Sequence, residues 1–113
     1  LTITDKGEQR RDFTHVEDIV SGLVKCGRSL VIPNEYHAKV SGEIFELGSG
    51  VNFSINELAT LFGKEYPTKY IPAREGEYPV TLCDYSKASK MLGYKPVKSM
   101  ELYVKEFLNN HSK

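Results

Sequence analysis

From Val16 the apolar residues fall at Val16, Ile19, Val20, Leu23 and Val24, a spacing of three and four that gathers them on one side of an α-helix. Glu17 and Asp18 stand in its first turn and Lys25 near its last, as the helix dipole favours, and Gly27 is placed to end it. Upstream, Leu1 to Thr4 alternates like a strand. Asp5-Lys6-Gly7-Glu8 makes a polar turn in which Gly7 can take positive φ, and Gln9 to Phe13 reads as a second strand, so a hairpin is expected at the start.

Downstream, Pro33-Asn34 interrupts any period, and Arg28 to Gly42 is expected to be a loop with a short strand at Leu30 to Ile32. Glu43 to Leu47 reads as a strand ending at Gly48-Ser49-Gly50. Ser54 and Glu57 form a capping-box pattern that opens a helix with Ile55, Leu58, Ala59 and Phe62 on one face, stopped by Gly63. Lys69 to Ile71 should be a strand and Pro72 to Pro79 irregular. Asp84 is positioned to cap a helix bearing Ala88, Met91 and Leu92 and ended by Gly93, and Ser99 to cap a last helix bearing Met100, Val104, Phe107 and Leu108. Fraying is expected after Asn109. The order β-β-α-(β)-β-α-β-α-α, without repeats, predicts an α/β to α+β fold with about four helices on a small sheet.

Composition narrows the classes. A chain of 113 residues makes one domain with a thin stability margin, and 40% apolar with 27% charged residues is ordinary for a globular protein. Fifteen basic and fifteen acidic residues cancel, so no summed field draws the chain to nucleic acid or an anionic membrane. No apolar run approaches the roughly 20 residues of a membrane span. Cys26 and Cys83 lack C-x-x-C spacing and no signal-like segment opens the chain, so a reducing cytoplasm is the expected location. The chain opens at Leu1, inside a strand-like run and without an initiator methionine; it is expected to be a piece of a longer protein.

Candidate chemistry lies in three places. Arg10, Arg11 and Asp12 stand just before a helix N-terminus, where a phosphate is favoured; alternatively Asp12 pairs with a neighbouring arginine and the cluster is structural. Arg74, followed three residues later by Glu77, has a guanidinium suited to phosphate and a carboxylate suited to ribose hydroxyls, although exposed charged loops are common. Gly48-Ser49-Gly50 mimics a dinucleotide-binding turn but carries Phe53 where the third glycine belongs. Tyr94 and Lys98 have Tyr-x-x-x-Lys spacing, yet Pro96 between them prevents a shared helical face. His15, His37 and His111 show no metal-ligand spacing, so no metal site is expected.

Gln9, Arg11, Asp12, Phe13, Val16, Asp18 and Ile19, taken with Arg74-Glu75-Gly76-Glu77, Thr81, Asp84, Ser86-Lys87-Ala88 and Leu92-Gly93-Tyr94, follow a pattern that covers nearly the whole chain. It resembles the C-terminal, substrate-binding part of NAD-dependent epimerases and dehydratases of the extended short-chain dehydrogenase/reductase family, of the UDP-glucose 4-epimerase kind. The resemblance implies that Arg11, rather than Arg10, and Arg74 reach a diphosphate, that Glu77 binds ribose, and that Asp12 and Asp18 order the strand-to-helix turn. Thr4 and Asp5 stand where the family carries an aromatic residue and a glycine near the nucleobase.

The resemblance further implies one substrate-binding subdomain over residues 1–113, with the N-terminal Rossmann domain, the catalytic Tyr-x-x-x-Lys pair and the NAD site absent from this chain. The expected partners are a nucleoside-diphosphate sugar held weakly and that missing domain. The chain alone is expected to be inactive, to bind no cofactor and either to self-associate or to be only marginally stable. The alternative is a free-standing interaction module on the same scaffold.

Overall fold

The computed structural model describes residues 1–32 and 39–111. Among them are β1 (Thr2–Thr4), β2 (Arg10–Arg11), α1 (Val16–Val31), β3 (Phe53–Ser54), α2 (Ile55–Phe62), β4 (Lys69–Ile71), α3 (Ser86–Leu92) and α4 (Met100–His111). The strands form two small sheets. β1 pairs in parallel with β4, Ile3 opposite Tyr70, and β2 pairs antiparallel with β3, Arg10 opposite Ser54.

The expected opening hairpin is not formed. Asp5 N–H continues the β1–β4 ladder to the Ile71 carbonyl at 2.8 Å. The turn, with Asp5 at φ 55° and Gly7 at φ 73°, then delivers the chain to the start of α2. There the carbonyls of Gly7 and Gln9 accept from Asn56 and Ile55 N–H at 3.0 and 3.1 Å. Donors at the N-terminus of α2 lack partners within the helix, and they draw this segment away from β1.

Helix α1 also runs past its expected end. Gly27 lies in its interior with open space around it, and the helix stops at Ile32, which is extended at φ −122°, ψ 126° and whose N–H reaches the Arg28 carbonyl at 2.8 Å. Ile32 precedes Pro33, and the residue before a proline is pushed out of the helical region. The strand expected at Leu30 to Ile32 is therefore the last turn and cap of a helix; the rest of the expected loop lies partly outside the described residues. Glu43 to Leu47 forms no strand, since no neighbour among the described residues offers it a ladder. The strand between α1 and α2 is Phe53–Ser54 instead. At the other end, α4 continues to His111, whose ring stacks on Phe107 at 4.2 Å.

The remaining caps match their sequence signals. Ser54 and Glu57 form the reciprocal capping box of α2. Gly93 closes α3 in the left-handed conformation, and Ser99 Oγ accepts from Leu102 N–H at 3.2 Å at the start of α4. Asp84 acts one residue early, accepting from Ser86 N–H at 3.0 Å, while Tyr85 is the capping position.

The core is split. Val40, Ala88, Leu92 and Tyr94 form one cluster, with Cys26, Phe45, Leu47, Tyr85 and Met91 packed around it. Ile3 and Val104 are buried elsewhere, and Phe62 joins α2 to α4 through Phe107 at 5.9 Å. The molecule is a plate of 51 × 37 × 16 Å with a radius of gyration of 17.4 Å, against roughly 13 Å for a compact domain of about 100 residues. Among the described residues nothing covers one side of α1: Val16, Val20, Leu23, Leu30 and Val31 are exposed.

Candidate functional site

Asp12 organises the strand-to-helix turn. Its carboxylate accepts from Thr14 Oγ1 and Ser49 N–H at 3.0 Å, from Gly50 N–H at 2.9 Å, from Cys83 N–H at 3.2 Å, and from the Ser49 hydroxyl. It pairs with no arginine among these partners, contrary to the structural alternative read from sequence. Burial pushes this carboxyl up, but the hydrogen bonds from Ser49, Cys83 and Gly50 together outweigh it and hold the group below the usual carboxylate value.

The same contacts answer the question of a dinucleotide at Gly48-Ser49-Gly50. The N–H groups of Ser49 and Gly50, which would have to face a phosphate, are taken by the Asp12 carboxylate. A side chain at Gly48 would meet Cys83 Cβ at 2.3 Å, so the glycine serves close packing of two loops. These residues do not fit NAD. Nor do Tyr94 and Lys98 form a proton-transfer pair: the Tyr94 hydroxyl donates to the Gly48 carbonyl at 2.8 Å, and Lys98 Nζ pairs with Glu17 at 2.9 Å.

The two arginines at the strand end have separate fates. Arg10 forks onto both carboxylate oxygens of Glu57 at 3.0 Å, and its Nε donates to Asn52 Oδ1 at 2.9 Å. It is bound into the capping box, its guanidinium engaged by Glu57 and Asn52. Arg11 turns the other way. Its Nη1 donates to the Arg10 carbonyl at 2.8 Å and its Nη2 to Glu77 Oε1 at 3.1 Å, across 66 positions of sequence. Glu77 Oε2 in turn lies 3.6 Å from Arg74 Nε.

Arg11, Arg74 and Glu77 are thus brought together, the carboxylate lying between the guanidiniums with one oxygen toward each. β2 supplies Arg11, and Arg10 N–H and C=O fix that strand beside the loop through Pro79 O and Thr81 N–H at 2.8 and 3.0 Å. Glu77 N–H reaches the Arg74 carbonyl at 3.4 Å, with Gly76 at φ 79° making the turn. Arg74 Nη2 also donates to Thr4 Oγ1 at 3.4 Å. A cleft of about 400 Å3 opens beside Arg74 and Glu77, lined also by Thr4, Asp5, Glu8, Gln9 and Arg10; Arg11 is not part of its lining. The contact with Thr4 has no signal in spacing, because 70 positions separate the partners.

Elsewhere the candidates are structural. His15 caps α1 by accepting from Glu17 N–H at 3.0 Å; His37 lies outside the described residues. Burial pushes the Cys83 thiol up, and the nearby carboxylates of Asp12, Glu46 and Asp84 add to this, the reverse of an activated nucleophile. A second cavity, of about 320 Å3, lies between Phe13, Val16, Met100 and Tyr103, and the one lysine in it is Lys98, already paired with Glu17.

No family model matches the chain. Individual proteins do. The UDP-glucuronate 4-epimerase of Thermodesulfobacterium geofontis is 33% identical over 114 residues, covering 96% of this chain and 32% of that protein. The UDP-glucose 4-epimerase of Yersinia pestis is 32% identical over 102 residues, covering 87% of this chain and 28% of that protein. In structure, the UDP-glucuronic acid 4-epimerase of Bacillus cereus, solved with UDP-glucuronic acid and NAD, matches 95% of this chain with a TM-score of 0.71 and 29% identity.

The chain is thus similar, along nearly its whole length, to the C-terminal part of UDP-sugar 4-epimerases, enzymes of the extended short-chain dehydrogenase/reductase family. It spans about a third of the length of these relatives and corresponds to their C-terminal part. The four helices and small sheets are the fold of that portion of the epimerases. Among the described residues no helix is long and apolar enough to cross a membrane.

Proposed function

We propose that the chain supplies half of a nucleoside-diphosphate-sugar site. Arg11 and Arg74 take the diphosphate and Glu77 takes the ribose hydroxyls. The observation that carries this is the meeting of Arg11 and Arg74 on the two oxygens of one carboxylate. Two guanidiniums from distant segments repel each other and need an anion between them, and a forked geometry suits a diphosphate. The relatives bear the names of UDP-sugar epimerases, which favours a UDP-sugar as the ligand.

In the whole enzyme the sugar-nucleotide would be oxidised at a hydroxyl and reduced again, NAD accepting and returning the hydride. The engagement of the Ser49 and Gly50 N–H groups by Asp12 supports the reading that this chain binds no cofactor. Its part is to hold and orient the nucleotide. A Rossmann domain would supply the dinucleotide site and the proton-transfer pair, seated against the exposed apolar side of α1. The chain alone is inactive, and its working location is the cytoplasm.

Calorimetric titration with UDP-glucose and UDP-glucuronic acid tests the reading. Binding should be weak, with Kd of roughly millimolar order, because half of the site is missing. Arg11→Ala or Arg74→Ala should remove it. Unchanged binding in both variants, or reproducible NAD-dependent turnover by a preparation free of host epimerase, would sink the proposal.

A further inference from the structure

The Glu77 carboxylate occupies the place between Arg11 and Arg74 that the preceding reading gives to a diphosphate, with one oxygen 3.1 Å from Arg11 Nη2 and the other 3.6 Å from Arg74 Nε. Both guanidiniums are also held from outside the pair, Arg11 by the Arg10 carbonyl at 2.8 Å and Arg74 by Thr4 Oγ1 at 3.4 Å. The backbone of Glu77 is tied into the turn with Arg74. With the arginines where they stand, an incoming anion enters between them by displacing the Glu77 side chain, for which the adjoining cleft beside Thr4, Asp5 and Gln9 gives room.

What awaits the displaced carboxylate depends on the ligand. Inorganic phosphate or diphosphate brings further negative charge and lacks the paired hydroxyls of a ribose, so Glu77 is left beside a like charge. A nucleoside diphosphate brings two ribose hydroxyls, and an ionised carboxylate, which only accepts, is satisfied by two such donors. We propose that Glu77 is a specificity determinant: a built-in counter-ion that holds the seat between Arg11 and Arg74 against phosphate-only anions and yields it to a ligand carrying a vicinal diol. This rests on the reading of Arg11 and Arg74 as the diphosphate seat and adds to it a reason why the site does not fill with bare phosphates.

The test is calorimetric titration of the 113-residue chain and its Glu77→Gln variant with inorganic diphosphate and with UDP at one ionic strength. Glu77→Gln keeps the side chain's size and removes its charge. Inorganic diphosphate should bind this variant about tenfold more tightly than wild type, since two ion pairs need no longer be broken. UDP should gain less or lose affinity, so the preference for UDP contracts. Glu77→Asp, which keeps the charge, should retain the preference. If UDP binds wild type but Glu77→Gln binds diphosphate no more tightly, the counter-ion role is wrong and the nucleotide reading survives. If neither protein binds either anion, the nucleotide reading fails and this inference with it.

Discussion

Asp18 Oδ1 accepts a hydrogen bond from the N–H of Val97 at 3.1 Å, so the first turn of α1 is fastened to the segment that leads into α4. Its other oxygen accepts from Lys98 N–H at 3.0 Å, and the residue is 2% exposed. One carboxylate thus satisfies two main-chain donors. Asp18→Ala would take the carboxylate partner from both donors in a part-buried site, at a cost of roughly 1–3 kcal/mol. Asp18→Asn keeps one acceptor oxygen and should lose about half of that. Urea denaturation at neutral pH measures both; a loss below about 0.5 kcal/mol for the alanine variant would show that the fastening contributes little.

Local chemistry was legible in the sequence and long-range pairing was not. The capping box at Ser54 and Glu57, the stop at Gly93 and the stripe of α1 are decided within a few residues, and each is present. The hairpin expectation failed because Gln9 and Gly7 bond to the start of α2, some fifty positions away, which no local pattern encodes. Gly27 stands where a stop is expected, yet a glycine inside a helix costs only about 1 kcal/mol and does not end a helix by itself. Arg11 differed from Arg10 only through the resemblance: spacing gave two adjacent guanidiniums, and the Glu57 carboxylate that takes Arg10 lies 47 positions away.

Asp12 should make the fold sensitive to acid. Its carboxyl lies below the ordinary carboxylate value because, although burial disfavours the charged form, the hydrogen bonds it accepts favour that form more. A group depressed in the folded state contributes stability that is present above its unfolded value and is lost as pH falls through the folded one. The loss attributable to Asp12 therefore begins below about pH 4. Asp12→Asn should be less stable at pH 7 and should lose less on acidification. Denaturant midpoints at pH 7 and pH 3 check this, and parallel losses in both proteins would rule Asp12 out as the source.

Tyr94, 1% exposed and bonded to the Gly48 carbonyl, should be the last tyrosine to ionise. Burial pushes its phenol from 10.0 up to about 12, with the Asp18 carboxylate adding to the effect. Here the sign is reversed: stability from a raised group is complete below its unfolded value and is lost as pH rises from about 10 toward 12. Absorbance titration should show one tyrosine ionising near the upper end of that range or only on unfolding. Tyr94→Phe should remove that component and cost about 1–2 kcal/mol, since the Gly48 carbonyl loses its donor. A phenol titrating near its ordinary value would contradict the buried placement and reopen the question of a reactive tyrosine.

The exposed side of α1 should make the chain self-associate. Val16 is 68% exposed and Val20, Leu23, Leu30 and Val31 are exposed with it, on a molecule only 16 Å through its thin dimension. A helix normally buries its apolar stripe, and one left open on this scale marks a contact surface. If a Rossmann domain covers this stripe in the whole enzyme, a second copy of the chain is the cover available in its absence. Sedimentation velocity should then show a coefficient that rises with concentration. Val20→Glu combined with Leu23→Lys puts charges at the middle of the stripe while keeping good helix formers, and removes roughly 3 kcal/mol of apolar burial per copy. The double variant should stay monomeric over the same range with an unchanged far-ultraviolet circular dichroism spectrum. A wild-type chain that is monomeric throughout would mean that the stripe tolerates water and is not a contact surface; association that persists in the double variant would place the contact elsewhere on the plate.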